Sequence, residues 1–349
     1  MDLIESPVSS IEPEVADLCA AVRDAASVVP VGARTQWAVG EPPVDGLELR
    51  APVGLLRYDA ADLTVTVAAG TPVATLAKVL SRQGQECPLD PRHERATIGG
   101  VLSTGLSGYR RLRHGPLRNW VLEVRFVNAR GDVVKGGGPT VKNVSGYDLP
   151  RLLVGSLGTI GLLTQVTLRA QPLPSMRMWT TTERSPDEVR DALFRPVAIL
   201  WDGRRTCVRL EGEAADVTAQ SDDAALDEGA PPTFPAGPHR GRISVAPGRV
   251  PALRSGLDQA GVRWLAEVGV GTVHVAADDV AALAAAREVA AHHGGWMLRE
   301  AGASQLDPFG IALPNRELLL RVKTAFDPDG KMNPGRLPGL DPRPATKSS

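Results

Sequence analysis

The segment 136–168 has the residue types and spacing of a backbone that is held against a ligand. It reads GGGPTVKNVSGYDLPRLLVGSLGTIGLLTQVTL and repeats glycine at Gly146, Gly155, Gly158 and Gly161. Glycine lets the main chain adopt positive φ values and approach a ligand without a Cβ in the way. Two runs of aliphatic and β-branched residues follow the glycines, as in buried strands. This segment is therefore the first candidate binding element.

The two standard phosphate-binding motifs do not fit this segment. A P-loop ending at Lys142 would need glycine in place of Val141 and a hydroxyl residue in place of Asn143. The last three glycines are spaced G-x-x-G-x-x-G, which differs from the G-x-G-x-x-G of dinucleotide-binding Rossmann folds. A nucleotide bound here would have to be held by another geometry.

A second glycine-rich segment lies earlier in the chain, between Cys87 and Gly115. Its centre, ATIGGVLSTGLSG, interleaves glycines with small hydroxyl residues, so that backbone and hydroxyls can approach a flat or phosphate-bearing ligand. The alternative is a glycine-rich turn and short helix that bind nothing. Two such loops in one compact domain would carry a large entropy cost, which favours a ligand. A shorter loop, Gly32–Gln36, could offer backbone N–H groups to a diphosphate or be an ordinary hairpin turn.

Composition limits the class of protein. The 349 residues are 43% apolar and carry a formal net charge of -1, which excludes nucleic acid or an anionic membrane as an expected main partner. The three cysteines are far apart and form no C-x-x-C, so we expect no disulfide framework and no metal site. The acidic N-terminus lacks signal-peptide features. We expect a cytoplasmic protein, or one peripheral to the inner face of the membrane through partners.

The elements that position these loops predict two domains in an α+β chain. Up to residue 172 the glycine-rich loops alternate with strands and short helices, and from Met176 onwards strands and helices follow in β-α-β-β-α-β order. The acidic, Ala/Pro-rich stretch 213–238 is expected to be an exposed loop. The predicted boundaries are a first domain 1–172, a small ferredoxin-like domain 173–325, a C-terminal return segment 326–340 and a disordered tail 341–349.

Three spaced motifs resemble those of a known family over about the first half of the chain. The loop Gly32–Gln36, ATIGGVLSTGLSG and VKNVSGYDLPRLLVGSLGTIGLLTQVTL resemble, in this order, the vanillyl-alcohol-oxidase type of FAD-binding domain, and within it the FAD-binding subunits of bacterial glycolate oxidases. The resemblance implies a two-part FAD-binding domain followed by the ferredoxin-like domain as a cap. It implies FAD that is not covalently bound, because the first loop lacks the histidine that tethers flavin in many relatives.

The resemblance also implies which residues hold the flavin. The first loop would wrap the FAD diphosphate with main-chain N–H groups, although the family's usual second glycine is Ala33 here. The implied cofactor-binding residues are Gly32, Ala33, Arg34, Thr35, Gln36, Thr97, Gly99, Gly100, Ser103, Thr104, Gly108, Asn143, Gly146, Tyr147, Gly155, Ser156, Gly158, Thr159, Ile160 and, in the C-terminal D-P-x-x-x-x-N-P-G segment, Asn333.

Catalytic residues are harder to assign. Lys142 could balance phosphate charge or stabilise an anionic reduced flavin, or it could form a structural ion pair with Asp148. Related D-2-hydroxy-acid dehydrogenases carry a metal-binding motif, H-x-G-D-G-N-x-H, in the cap, and this chain lacks it. His274 is the remaining candidate proton carrier, the alternative being a hydrogen-bonded strand histidine without a catalytic role. The catalytic residues therefore stay unknown, with Lys142 and His274 as candidates.

The resemblance leaves three functions open. The first is a dehydrogenase that takes a hydride from glycolate or a similar 2-hydroxy acid and passes electrons to an iron–sulfur subunit. Its carboxylate clamp could come from Arg110, Arg111, Arg113 or Arg299, although the cluster around Arg110 could equally be a solvated face. The second is an FAD-bearing subunit that relays electrons or supports a complex in which a paralogous flavoprotein subunit does the chemistry. The third is a stand-alone oxidase for another alcohol or a sugar.

Overall fold

The computed structural model describes residues 11–138, 147–310 and 315–340. The predicted site residues Lys142, Asn143 and Gly146 and the predicted tail 341–349 lie outside the described residues. The helices of the described residues are α1 (Glu12–Asp24), α2 (Val73–Ser81), α3 (Ile98–Thr104), α4 (Arg111–His114), α5 (Leu149–Leu153), α6 (Pro186–Ala192), α7 (Ala214–Asp223), α8 (Arg254–Gln259), α9 (Val280–His292) and α10 (Arg316–Phe326), with 3-10 turns at Leu117–Trp120 and Pro247–Leu253.

The strands of the first part of the chain are β1 (Val28–Pro30), β2 (Leu47–Leu49), β3 (Leu55–Asp59), β4 (Thr64–Ala68), β5 (Gln85–Glu86), β6 (Val121–Val127), β7 (Val133–Gly137), β8 (Leu162–Arg169) and β9 (Gln171–Pro172). Those of the second part are β10 (Met176–Thr182), β11 (Ala198–Trp201), β12 (Thr206–Gly212), β13 (Asp227–Glu228), β14 (His239–Ser244), β15 (Arg263–Glu267), β16 (Thr272–Ala277) and β17 (Trp296–Ala301).

The first part of the chain is built on a five-stranded antiparallel sheet in the order β3-β4-β8-β6-β7. Valines of β4 alternate with threonines and are buried together with β8, which has seven buried positions in eight. Helix α2 adds Leu76 and Leu80, four residues apart on one face, to this core. Burial of one such side chain stabilises the fold by roughly 1.5–3 kcal/mol.

Helix α3 forms in a glycine-rich sequence because its start is fixed from outside. The Thr97 side chain caps the helix by accepting a hydrogen bond from the Gly100 N–H at 3.2 Å. Gly99 donates its N–H to the Ala69 carbonyl at 2.7 Å, and a Cβ on Gly99 would lie 3.0 Å from that oxygen. The helix start is therefore held against the end of β4, where only glycine allows this approach.

The second part of the chain forms one eight-stranded antiparallel sheet in the order β13-β10-β12-β11-β15-β16-β14-β17. The β-α-β-β-α-β element order occurs twice, once from β10 to β13 and once from β14 to β17. Each set of four strands has the same internal order, and the two sets are joined by pairing of β11 with β15.

The acidic stretch 213–238 is not simply the exposed loop that its composition predicts. It contains α7 and β13, and β13 pairs with β10. Val217 is buried against Val189, Val208 and Leu210, and this contact orders the helix. The prediction was wrong because one well-packed apolar residue on a mostly polar helix leaves little hydrophobic periodicity in the sequence.

The C-terminal segment returns to the first part of the chain through a buried lysine. The Lys323 Nζ atom donates to the carbonyls of Thr159 at 2.8 Å and Met332 at 2.9 Å, and it is paired with Asp327 at 2.5 Å. The Asn333 N–H then donates to the Val28 carbonyl at 2.7 Å. Residues after α10 are thereby fixed beside β1. None of the helices described is both long enough and apolar enough to cross a bilayer.

Candidate functional site

An open cavity of about 770 Å³, counting its mouth, lies between the loop after β1, helix α3 and the C-terminal segment. Its walls are formed by Pro30, Val31, Gly32, Ala33, Arg34, Thr35, Gln36, Trp37, Ala51, Ala69, Gly70, Thr97, Gly99, Gly100, Ser103, Thr104, Leu157, Gly158, Leu162, Leu163, Asn333 and Arg336.

The loop at residues 32–36 forms one wall of this cavity. Its five N–H groups have no hydrogen-bond acceptor within the part of the chain that the structure describes. A Cβ on Gly32 would lie 2.5 Å from Thr97 Oγ1, so the loop can approach α3 only with glycine there. Successive free N–H groups in such a turn form a concavity that binds anions.

The left-handed position in this loop falls on Arg34, which has a φ of 56°. Ala33 is not in this left-handed conformation, although it stands where the family that the sequence resembles has a glycine. The Arg34 side chain forms an ion pair with Glu48 and stacks over Trp37 at 4.8 Å, and both charged groups are substantially exposed. Ala33 therefore costs the loop little, whereas Arg34, the left-handed residue, is stabilised by its side-chain contacts with Glu48 and Trp37.

Asn333 offers the cavity an unsatisfied acceptor. Its side-chain amide donates to the Leu157 carbonyl at 2.5 Å, while its Oδ1 atom is buried without a hydrogen-bond partner among the described residues. Its φ of 48° is also left-handed. Buried polar atoms without partners are rare and commonly mark a site that a ligand or water completes.

Arg336 brings a buried positive charge that the sequence reasoning missed. Its Nη1 atom donates to the carbonyls of Trp37 at 2.8 Å and Glu41 at 3.0 Å, and its Nε atom has no partner among the described residues. The guanidinium forms no salt bridge with any described carboxylate, and burial lowers the pKa of Arg336 to about 10. The available signal was a basic residue directly after Asn333-Pro334-Gly335.

The polar groups and apolar surfaces that line this cavity fit FAD. One wall carries free N–H groups and a buried arginine, which suit a diphosphate, and the other walls carry apolar surfaces such as Leu157, Leu162 and Leu163, which suit flat rings. At Gly32 the backbone lies so close to Thr97 that a Cβ would not fit without a shift. The Asn333 Oδ1 atom has no partner among the described residues, and a bound dinucleotide would supply one.

The structure brings together most, but not all, of the predicted cofactor residues. On the cavity wall lie Gly32, Ala33, Arg34, Thr35, Gln36, Thr97, Gly99, Gly100, Ser103, Thr104, Gly158 and Asn333. Away from the wall lie Gly108, Tyr147, Gly155, Ser156, Thr159 and Ile160.

The residues away from the wall have other roles. A Cβ on Gly108 would lie 2.4 Å from the Asp90 carboxylate, so this glycine allows a packing contact. The Tyr147 side chain is 92% exposed and points to solvent. Thr159 donates its hydroxyl to the Ser156 carbonyl at 2.7 Å, and Ile160 packs in the core of the five-stranded sheet. The turn that these last residues form positions Leu157 and Gly158 at the cavity.

His274 lies in a buried cluster where the first part of the chain contacts the eight-stranded sheet. Its Nε2 atom is 2.7 Å from Glu267 Oε1, and its Nδ1 atom is 3.4 Å from an Arg92 nitrogen. Burial lowers the pKa of His274. The side chain is away from the cavity wall, and both of its ring nitrogens have partners, as in the alternative of a hydrogen-bonded strand histidine.

Arg92 connects this cluster to the glycine-rich segment. Its Nε atom donates to the Ser107 carbonyl at 2.8 Å, and its Nη1 atom bonds both Glu300 oxygens, at 2.9 and 2.8 Å. Ser107 follows α3, whose residues line the cavity, while Glu300 belongs to β17. One arginine thus fixes the end of the candidate cofactor segment to the eight-stranded sheet.

Most of the arginines predicted to clamp a carboxylate already have partners. Arg110 is buried and binds Glu86 at 3.1 Å and Glu211 at 2.7 Å, so it is not part of a solvated face. Arg113 donates to the Glu211 carbonyl at 2.5 Å, and Arg299 is paired with Glu41. Within the described residues, the Arg111 side chain donates one long hydrogen bond, to Thr272 Oγ1 at 3.4 Å.

Glu211 is the centre of the ion network around Arg110. Burial on its own would raise the pKa of this carboxyl group, but His114 at 3.6 Å and the guanidiniums of Arg110 and Arg209 lower the pKa to about 2. Because Glu86 and Arg110 belong to the first part of the chain and Glu211 to β12, the network joins the two parts.

Parts of the chain are similar to known proteins. Residues 11–137 match the family described as an FAD binding domain. Over 210 residues the chain is 34% identical to glycolate oxidase subunit GlcE of Escherichia coli (strain K12), covering 57% of this chain and 60% of that protein. It is 38% identical over 138 residues to a D-lactate dehydrogenase of Archaeoglobus fulgidus, covering 40% of this chain and 31% of that protein.

A third relative is glycolate oxidase subunit GlcD of Bacillus subtilis (strain 168), 34% identical over 154 residues and covering 43% of this chain and 33% of that protein. The chain thus spans 60% of the length of GlcE and about a third of the other two relatives.

The solved structures agree on the fold. An alkyldihydroxyacetonephosphate synthase superposes with a TM-score of 0.65 at 15% identity, covering 93% of this chain and 74% of that one. At this identity the likeness concerns the fold alone. It agrees with the α+β fold that the sequence predicts, while the FAD-binding domain rests on the family match over residues 11–137. The chain therefore contains an FAD-binding domain in its N-terminal part, and FAD is its cofactor.

Proposed function

We propose that this chain is the FAD-binding subunit of a glycolate oxidase-type complex and takes part in oxidising glycolate or a similar 2-hydroxy acid to the 2-oxo acid. The observation that carries this proposal is the 34% identity to GlcE over 210 residues, which extends beyond the residues matched to the FAD binding domain. The identities to a D-lactate dehydrogenase and to GlcD support the same substrate class.

The cavity described above is the proposed FAD site. The N–H groups of residues 32–36 would bind the diphosphate, and Arg336 would balance part of its charge. Asn333 Oδ1 would accept a hydrogen bond from the cofactor. The same proposal includes FAD bound without a covalent link, since no histidine is among the described residues that line this cavity. When bound, FAD supplies the acceptor for the hydride of the hydroxy acid.

The partners belong to the same proposal. Two relatives are named as subunits of glycolate oxidase, which supports a complex with a paralogous flavoprotein subunit. An iron–sulfur subunit is proposed as the electron acceptor, since the reduced cofactor must be reoxidised after each turnover.

A second function is favoured by one observation, the state of His274. Hydroxy-acid oxidation requires a group that accepts the hydroxyl proton, and both ring nitrogens of this histidine already have partners. Lys142, the other candidate, lies outside the described residues. In the second function the chain holds FAD and relays electrons, and the paralogous subunit carries out the oxidation.

The visible spectrum of the FAD-loaded chain under anaerobic glycolate tests these functions. The proposal predicts that glycolate bleaches the flavin band of the chain alone, whereas acetate, which has no hydroxyl group to oxidise, does not. Bleaching only after addition of the paralogous subunit would instead support the relay function. A purified chain that rejects added FAD would contradict both.

A further inference from the structure

We propose that Arg242 and Arg111 form a carboxylate-binding site where the first part of the chain contacts the eight-stranded sheet. The site would hold the carboxylate of the small hydroxy acid, and this choice of ligand rests on the proposed function. Arg242 is on β14, where it pairs in register with His274 of β16. Arg111 begins α4 and reaches Thr272, also on β16. The two guanidiniums therefore approach the same strand from opposite parts of the molecule.

Arg242 lacks the partners that a largely buried guanidinium normally has. Its side chain is 15% exposed, so the group can be reached from solvent. Its Nε atom has no hydrogen-bond partner among the described residues. The nearest carboxylate, that of Glu300, is 4.0 Å away and is already bound by Arg92. Buried charged donors are generally paired, so this group indicates a missing acceptor.

Charges of both signs surround Arg242. The guanidiniums of Arg92 and Arg111 and the carboxylates of Glu300 and Glu267 all act on its guanidinium. Burial, followed by the charges of the other two arginines, lowers the pKa of Arg242 to about 10. Burial also lowers the pKa of His274, so that the imidazole adds no charge at neutral pH. A carboxylate ligand between Arg242 and Arg111 would give both guanidiniums a charged acceptor.

A second unsatisfied group lies in the same cluster. The hydroxyl of Tyr109 is buried without a hydrogen-bond partner among the residues described, although its ring is fixed by stacking on Phe234 at 4.3 Å and by edge contact with His274. Phe234 in turn lies under the Arg92 guanidinium at 4.8 Å. A fixed hydroxyl in the same cluster as Arg111 and Arg242 suits a ligand that carries both a carboxylate and a hydroxyl group.

The site is connected to the candidate FAD cavity through the backbone. Arg92 binds the Ser107 carbonyl, and Ser107 lies three residues after the end of α3, whose Ser103 and Thr104 line that cavity. Arg111 belongs to the next helix of the same segment. A carboxylate held by Arg111 and Arg242 would thus lie at the end of the segment that contacts the cofactor, on the side of the eight-stranded sheet.

Binding of oxalate to the full FAD-loaded chain, measured by calorimetry, tests this site. Oxalate is a carboxylate without an oxidisable hydroxyl group. We expect Arg242→Gln and Arg111→Gln each to raise the oxalate Kd roughly tenfold or more, the effect of losing one charge-assisted hydrogen bond. Arg242→Lys, which keeps the charge and loses the planar fork, should fall between these variants and the wild type. Arg240→Gln removes an exposed arginine from the same strand and should leave the Kd within about twofold.

The flavin spectrum and circular dichroism of each variant report whether it is folded. An oxalate Kd that neither Arg242→Gln nor Arg111→Gln changes would overturn the site, whether or not glycolate reduces the flavin. Oxalate binding that depends on both arginines, in a chain that glycolate fails to reduce, would support the carboxylate site and refute oxidation by this chain alone. If Arg242→Gln does not fold, the result for Arg111→Gln decides.

Discussion

Arg336 and Asn333 are the two buried side chains of the cavity with polar atoms left unsatisfied. Both follow the buried Lys323–Asp327 pair, which fixes the C-terminal segment beside β1. Arg336 keeps its orientation through two backbone carbonyls, and its Nε atom stays without a partner among the described residues. A buried cation without a carboxylate partner is costly, and a bound diphosphate would remove that cost.

We predict that Arg336→Gln weakens FAD binding by roughly tenfold or more, because one charge-assisted interaction with the diphosphate is lost. Titration of the apo chain with FAD and with riboflavin, which has no phosphate, distinguishes a lost interaction with the diphosphate from a general loss of packing around the flavin. Only the FAD affinity should fall.

The control for this prediction is Arg34→Gln. Arg34 and Arg336 both stack over the Trp37 ring, at 4.8 and 5.3 Å, but Arg34 is exposed and paired with Glu48. Its replacement should change the FAD affinity less than that of Arg336. Equal losses for FAD and riboflavin in Arg336→Gln would mean that this arginine only supports the loop structure.

At the scale of elements, the network around Glu211 fixes β12 of the eight-stranded sheet to β5 and to the start of α4. Arg110 bonds Glu86 and Glu211 together, and Arg209 adds a third contact to the same carboxylate. Removing one member of a buried ion pair leaves the other charges uncompensated. The contact between the two parts of the chain should therefore be sensitive to this one carboxylate.

We predict that Glu211→Gln lowers the free energy of unfolding by about 3 kcal/mol at pH 7. Folding lowers the pKa of Glu211 from its ordinary value of 4.5 to about 2. The contribution is therefore complete above pH 4.5 and is lost as the pH falls toward 2. Urea unfolding of both proteins across this range measures it. A difference that stays constant from pH 7 to pH 3 would contradict the assigned role of the carboxylate.

The sequence predicts the local features of these elements better than their distant partners. The loop at residues 32–36, the glycine-rich start of α3 and Gly158 were expected near a cofactor and do line one cavity. Their signal is local, since a close backbone approach requires glycine at that very position.

The sequence could not predict in the same way which arginines already have carboxylate partners. Arg110 finds Glu211 across 101 residues and Arg299 finds Glu41 across 258, so that only the folded chain shows which guanidiniums are already bound. For the same reason the sequence did not indicate Arg242 and Arg336 as candidate ligand-binding residues. Each is a single basic residue in an ordinary strand or loop sequence, and its importance comes from a buried Nε atom that has no hydrogen-bond partner among the described residues.

At the scale of the whole molecule, the cavity is assembled from segments that are far apart in the chain. The loop after β1, the start of α3, the turn at Leu157–Gly158 and the C-terminal residues Asn333 and Arg336 all contribute to its walls. The eight-stranded sheet is joined to this assembly through Arg92 and Arg110. A ligand in the cavity therefore contacts both ends of the described chain and should stabilise the molecule as a whole.

The central claim is that this cavity holds FAD, and calorimetric titration of the apo chain with FAD tests it most directly. Gly158 has a φ of 72°, and a Cβ there would lie 3.2 Å from Pro30, so that valine at this position would distort the cavity wall. A Cβ on Gly248 would meet no atom within 4 Å. We predict one FAD per chain for the wild type and for Gly248→Val, and loss of binding in a folded Gly158→Val. Wild-type affinity in a folded Gly158→Val would contradict the account.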